Sequence, residues 1–362
     1  AEGRREENVM THQQSASQAL RAAAAERVLV FDGGYGTGIQ NRKLTEEDYA
    51  GDLGLDADQK GNNDLLNLTR PDVIRDIHSE YLDAGADMIE TNTFSSTTIA
   101  LADYKAEHLV REVNLAGAKV AREAADAAQE KDGRRRFVAG AIGPTNKTLS
   151  LSPDVEDPGF REVDFDQMLA VYREQCDALI EGGVDFILIE TIFDTLNAKV
   201  AAMAAQQAAE AAGREVPIML SFTITDNSGR NLSGHTVEAF WHAVRHANPI
   251  AVGVNCSFGA DKLRPHLAAL SRQADTLILA YPNAGLPNDL GEYDQEADET
   301  AELVGVWFKE NLVNIVGGCC GTTPAHIAAI ANAAKNAEPR TIPEVERKTR
   351  LAGLEPFTMA AA

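Results

Sequence analysis

Four cysteines occur in 362 residues, and two of them are neighbours, in 317-GGCCGTTPAH-326. A disulfide between adjacent residues strains both the bond and the backbone, so Cys319 and Cys320 read as two separate thiols on one turn. A third thiol, Cys256, follows directly on the apolar run 250-IAVGVN-255. Three thiolates converging from two loops make a zinc site with three protein ligands and an open fourth position, the catalytic arrangement. The alternative is a set of buried free thiols. Gly317, Gly318 and Gly321 give the turn the backbone freedom that two adjacent ligands require. The helix opening 322-TTPAHI-327 brings a positive helix end toward them, which favours the thiolate form.

Zinc held by three thiolates is electron-rich, a weaker Lewis acid toward water than zinc held by imidazoles, and suited to a soft fourth ligand. The chemistry predicted is activation of a substrate thiol as nucleophile, in preference to hydrolysis. Asp32 and Glu190 then have a natural task in holding the ammonium group of an amino acid; capping of the helices that follow them is the competing reading. Cys176 falls in a helical pattern and reads as a core or helix-surface thiol. His242 and His246 have metal-binding spacing (i, i+4), but they lie inside a helix away from the proposed site. His235 precedes that helix and reads as a cap or a substrate contact.

These residues must be positioned by a scaffold, and the sequence supplies one. Eight short apolar runs recur: 28-VLVFD-32, 87-DMIET-91, 137-FVAGAIG-143, 185-DFILIE-190, 217-PIMLSFT-223, 250-IAVGVN-255, 276-TLILAYP-282 and 313-VNIVGG-318. Continuous apolar strands belong to a parallel sheet covered on both faces. Between them lie Ala-rich amphipathic helices, such as 71-PDVIRDIHSEYLDAG-85 with Pro in its first turn and Gly past its end. Eight such repeats predict an α/β fold, a (β/α)8 TIM barrel with the zinc site at the C-terminal ends of the strands, where barrel active sites lie. That rim gathers Asp32, Gly33 and Gly34, then Glu90, Thr91 and Asn92, then Glu190 and Thr191, then Asn255 and Cys256, and last Cys319 and Cys320. The stretch 33-GGYGTG-38 does not have dinucleotide-binding spacing. Long loops after strands one and three (33–70 and 143–165) read as substrate-covering lids.

The predicted domains are an N-terminal extension over 1–25 (a frayed tail or a cloning remnant), a barrel over 26–336 and a C-terminal tail or start of a linker over 337–362. With 55 Asp+Glu against 33 Lys+Arg, the chain carries a formal charge of -22. Such a surface repels phosphate backbones and anionic membranes, so nucleic acid and membrane are not expected partners. So few cysteines, with no apolar core of a signal peptide and no run long enough to span a bilayer, predict a cytoplasmic protein.

The stretches 32-DGGYGT-37, 60-KGNNDLLNLTRP-71, 85-GADMIETNTF-94, 139-AGAIGPTN-146, 189-IETIFDTLNAK-199, 253-GVNCSFG-259, 281-YPNAGLPNDLGEYD-294 and 314-NIVGGCCGTTPAHI-327 resemble the homocysteine S-methyltransferases. The resemblance is strongest to the homocysteine-binding module of the cobalamin-dependent branch. It implies a zinc-binding (β/α)8 barrel in which Cys256, Cys319 and Cys320 hold the metal and the homocysteine thiol takes the open position. Asp32 and Glu190 match positions around the homocysteine amino group, and Asn255 matches the residue before the first zinc ligand. The implied reaction is attack of the zinc-bound thiolate on the methyl group of methylcobalamin, giving methionine. No D-x-H-x-x-G cobalamin signature is present, so the cobalamin- and folate-binding partners are expected on another domain or chain. S-methylmethionine or betaine as donor is the runner-up, and a non-catalytic zinc barrel the third reading. Tyr35 departs from the methionine expected in the first motif.

Overall fold

The computed structural model describes residues 14–360. Its eight apolar runs form β1 (Leu29–Val30), β2 (Met88–Glu90), β3 (Phe137–Ile142), β4 (Phe186–Ile192), β5 (Ile218–Phe222), β6 (Ala251–Asn255), β7 (Leu277–Tyr281) and β8 (Ile315–Val316). Every neighbouring pair is parallel, in the order β1-β8-β7-β6-β5-β4-β3-β2. A bridge between Phe31 and Met88 joins the two ends, so the sheet closes into the predicted (β/α)8 barrel.

The closing seam is thin, and side chains reinforce it. The Asp87 carboxylate accepts the Val30 amide at 2.9 Å and two bonds from the Arg27 guanidinium at 2.9 and 2.7 Å. At the upper end Asp32 Oδ2 accepts the Glu90 amide at 2.8 Å, standing in for a missing rung of the ladder. One candidate site residue is therefore also part of the barrel wall.

The inner faces of the strands fill the barrel with Leu29, Phe31, Met88, Phe137, Phe186 and Leu188, among others. Burial of such strands on both faces is what removes polar alternation from their sequence. The bottom is plugged by a helix, Ala16–Glu26, whose Leu20 and Ala24 join the same cluster. Ser15 and Gln18 form a reciprocal capping box at its start. Residues 16–25, assigned above to a frayed or foreign extension, are thus ordered and structural. The first thirteen positions of that extension lie outside the described residues.

The C-terminal segment also differs from a free tail. Arg340 is buried, and its guanidinium donates to the carbonyls of Ser271, Ala274 and Thr276, at the end of the helix Ala260–Gln273. Farther on, a hairpin of β9 (Arg350–Ala352) and β10 (Pro356–Thr358) lies against the barrel, where the Thr236 amide donates to the Leu354 carbonyl at 3.1 Å. No helix among the described residues is long and apolar enough to cross a membrane.

Candidate active site at the barrel mouth

The upper ends of the strands surround a cavity of about 400 Å³. On one wall, Cys256 after β6 and Cys319 and Cys320 after β8 place their sulfur atoms within 4.8 Å of one another, with Cys256 and Cys320 at 3.9 Å. Tetrahedral zinc with bonds of about 2.3 Å separates its sulfur ligands by about 3.8 Å, so the spacing and the all-sulfur donor set fit the ion. The backbone is strained here: Cys256 and Ser257 have φ of 62° and 65°, a region that residues with side chains enter only under local constraint. Cys319 is fixed by its amide donating to the Pro282 carbonyl at 2.8 Å, and Cys320 by its amide donating to Asn283 Oδ1 at 3.1 Å. Hydrogen bonds from Cys256 and then Cys319 hold the Cys320 thiol down to about 3, so one thiolate is stabilised within the cluster.

Two features of the turn explain its glycines. Gly321 has φ of 79°, and a Cβ there would meet the Tyr293 ring at 2.3 Å. Gly318 approaches Thr322 so closely that a Cβ would lie 2.4 Å from its hydroxyl. Thr322 uses that hydroxyl to donate to the Cys319 carbonyl at 2.7 Å, closing the turn before the helix Pro324–Ala334 begins.

Two carboxyls at strand ends, Glu90 and Glu190, line the same cavity, and a third, Asp32, is buried behind it. Glu190 lies in β4 beside a register shift between Ile189 and Ile192, where Thr191 takes φ of 52°. Such a bulge re-aims the side chains next to it. Glu190 Oε2 accepts the Tyr281 hydroxyl at 2.8 Å, and the Glu90 carboxyl lies close enough for the two acids to affect each other's protonation. Burial pushes the Glu190 carboxyl up to about 7. Burial, and next the neighbouring Glu190 charge, raises Glu90 well above the ordinary range. Asp32 is raised by burial against the hydrogen bonds from the Glu90 amide and Tyr35. Asp32 Oδ1 and Glu90 Oε2 are buried atoms without a hydrogen-bond partner among the described residues. A group of three acids with orphaned oxygens is chemistry for a cation that donates several hydrogen bonds, such as an ammonium group.

A family model described as homocysteine S-methyltransferase matches residues 29–334. This chain belongs to the homocysteine S-methyltransferase family. Its fold is similar to that of the Escherichia coli homocysteine methyltransferase MmuM. The metallated form superposes with a TM-score of 0.67 at 22% identity, covering 86% of this chain and 98% of that one. The oxidized form gives 0.65 at 21% identity, over 84% and 95%. As a member of this family the chain is a methyltransferase.

Within the homocysteine methyltransferase barrel the candidates divide by position. Gly33, Gly34, Glu90, Asn92, Glu190, Thr191 and the three cysteines line the cavity. Asp32, Thr91 and Asn255 stand behind it. Thr91 Oγ1 meets Thr93 Oγ1 at 2.6 Å and accepts the Ala141 amide at 2.9 Å, serving the barrel wall. Asn255 Oδ1 accepts the Thr191 amide and the Ser221 hydroxyl, while its amide donates to Thr191 Oγ1 at 2.9 Å and reaches Cys319 Sγ at 3.9 Å. Asn255 thus braces Cys319 and the bent Thr191 backbone. Asp32 caps no helix, since Gly34 is the cap of the helix Tyr35–Gln40.

The remaining sequence candidates lie elsewhere. Cys176 is fully buried in the helix Phe165–Glu181, and burial drives its thiol far above the ordinary range. His242 and His246 sit toward the lower end of the barrel, at the end of the helix Val237–Val244 and in the turn after it. His235 does not cap that helix, because Thr236 does; it pairs instead with Thr195 and Ser233 at 3.1 Å each. Of the two long loops, the one after β1 contributes Asn62, Asn63 and Asp64 to the cavity, and the one after β3 contributes none of its lining. Sequence reasoning placed Tyr281 and Asn283 on the rim without a role and did not single out Asp64, Tyr293 or Tyr104, although 60-KGNNDLL-66 carries the first of these.

Proposed function

We propose that this chain binds a zinc ion through Cys256, Cys319 and Cys320 and methylates homocysteine at the barrel mouth, with methylcobalamin, presented by another domain or chain, as the methyl donor. The observation that carries this reading is that three clustered thiols and the Glu90 and Glu190 carboxyls line one cavity, with the buried Asp32 carboxyl behind them. Homocysteine carries a soft sulfur and an ammonium group on one short chain, and the thiol cluster suits the first as the acids suit the second. Zinc, when bound, supplies the positive charge that keeps a substrate thiol deprotonated at neutral pH.

The protein's own residues do the rest. Glu190, fixed by the Tyr281 hydroxyl, and the neighbouring Glu90 receive the ammonium group, with Asp32 behind them. Binding the cation favours their ionised forms, so protons held among the three acids leave as substrate enters. The substrate sulfur is thereby held at a defined depth on the cysteine side, which turns attack on a methyl group into a positioned, effectively unimolecular step. In that step the sulfur lone pair forms the new bond to the methyl carbon, and the electrons of the old bond leave with the donor. A corrinoid is far larger than a cavity of about 400 Å³, so that donor reacts from the open mouth. The same volume exceeds what homocysteine alone fills, and this favours a second reading in which a small sulfonium or betaine donor enters beside it.

Zinc stoichiometry with and without homocysteine tests the site: one zinc per chain, retained on substrate binding with release of a thiol proton, is expected. Cys256→Ala with unchanged zinc content would refute the ligand set. Methionine formation assayed with methylcobalamin, S-methylmethionine and betaine in parallel decides the donor. Turnover with S-methylmethionine but not methylcobalamin would overturn the first choice.

A further inference from the structure

Tyr35, the residue that departs from the family motif, is not a neutral filler. Its ring lines the cavity, while its hydroxyl points into the wall, where it lies 2.9 Å from Asp32 Oδ2 and 2.5 Å from His78 Nδ1. All three residues are buried, Asp32 and His78 completely. His78 comes from the helix Pro71–Asp83, packed outside the barrel, so the chain of contacts runs from that helix through Tyr35 to Asp32 and the Glu90 amide.

A tyrosine hydroxyl has one hydrogen and here faces two acceptors, a carboxylate oxygen and an imidazole nitrogen. If the hydrogen goes to Asp32, the imidazole must donate from Nδ1 to the phenol oxygen. If it goes to His78, Asp32 loses its second hydrogen bond. Burial holds the imidazole neutral, so it carries one hydrogen in either case and can only change tautomer. An ionised Asp32 is the stronger acceptor. The arrangement therefore responds to the charge on Asp32 without exchanging a proton with solvent.

We propose that Tyr35 and His78 are a positioning pair for substrate recognition: with an ammonium group bound, His78 donates through Tyr35 to Asp32 and holds its carboxylate ionised and oriented toward that group's charge. This rests on the reading of Asp32 as part of the ammonium site given above. The hydroxyl and the Glu90 amide both bind Oδ2, which pins the carboxyl rotation and leaves Oδ1 as its free acceptor.

The test compares two ligands on the zinc-loaded protein by calorimetry: homocysteine, and γ-mercaptobutyrate, which is homocysteine without its amino group. Tyr35→Phe should weaken homocysteine about tenfold or more, the usual scale for losing a charge-assisted hydrogen bond. It should leave γ-mercaptobutyrate binding and zinc content as in the wild type. His78→Leu should behave like Tyr35→Phe, and His78→Asn, whose side-chain amide can reach the Nδ1 position, should recover most of the affinity. Nitrogen NMR of histidine-labelled protein should show His78 as the Nδ1–H tautomer in the homocysteine complex. Equal losses for both ligands, no loss in Tyr35→Phe, or an Nε2–H imidazole in that complex would each overturn the proposal. Wild-type protein that binds both ligands equally would instead overturn the ammonium-site reading beneath it.

Discussion

Replacing Asn255 by Asp changes one atom in a residue that touches no substrate, yet it should weaken the metal site substantially. The Asp side chain keeps the oxygen that accepts the Thr191 amide at 3.0 Å and the Ser221 hydroxyl, so the bent strand end stays supported. It loses the amide that donates to Thr191 Oγ1 at 2.9 Å and approaches Cys319 Sγ at 3.9 Å. Two limits bound the effect. If the new carboxyl takes up a proton, only hydrogen bonding is lost, about 1 kcal/mol, or roughly fivefold in zinc affinity. If it stays ionised, its repulsion of a Cys319 thiolate at 3.9 Å in an effective dielectric of about 20 is about 4 kcal/mol, and because the zinc ion's own charge offsets part of it, roughly a thousandfold is the upper limit. The loss should grow with pH as the carboxyl ionises. Competition with a chromophoric chelator across pH measures the affinity, and urea melts check that the fold persists. A folded variant whose zinc affinity stays within about twofold of wild type at every pH would refute the claim that Asn255 braces the metal site.

Other consequences can be read from single residues. Gly321→Ala forces a side chain into φ of 79° and to 2.3 Å from the Tyr293 ring; a fall in melting temperature with a several-fold rise in homocysteine KM is expected from thermal scans and kinetics, and an unchanged KM would count against the tight turn. Asp64 accepts the Ser95 amide and Ser96 hydroxyl, and burial raises it from 3.8 to about 6. A carboxyl that is easier to protonate when folded stabilises the fold at low pH and loses that contribution as pH rises through about 6. Two units correspond to about 3 kcal/mol. Asp64→Asn should therefore flatten the decline in stability between pH 4 and 7, followed by denaturant melts, and an unaltered slope would refute it. Arg340→Ala strips hydrogen bonds from the carbonyls of Ser271, Ala274 and Thr276 and should cost about 3 kcal/mol in denaturant unfolding while leaving zinc content intact.

Much of this protein is written locally. Strand runs such as 186-FILI-189 need no partner to declare themselves, because burial on both faces removes every polar residue from them. Their count and the acids and thiols at their ends were enough to indicate a barrel with Cys256, Cys319 and Cys320 on one rim. The helix starts at Pro71 and the stop at Gly213 were equally legible, since caps act within a few residues.

What the sequence could not show are relations between residues far apart in the chain. Nothing around position 78 marks His78 as the partner of Tyr35, which lies 43 residues earlier. Asn255 was visible as a neighbour of a ligand, but its role behind Thr191 depends on how β4 and β6 approach each other. The helix Ala16–Glu26 was mistaken for an extension because its apolar face is only two buried residues wide, Leu20 and Ala24, and gains meaning once a barrel bottom is there to receive them. Local patterns report which residues are buried, because burial acts on each residue by itself. Hydrogen-bond partnership and charge coupling act between pairs, and only closing the barrel brings Asp32, Glu90 and Glu190 close enough to raise one another's affinity for protons.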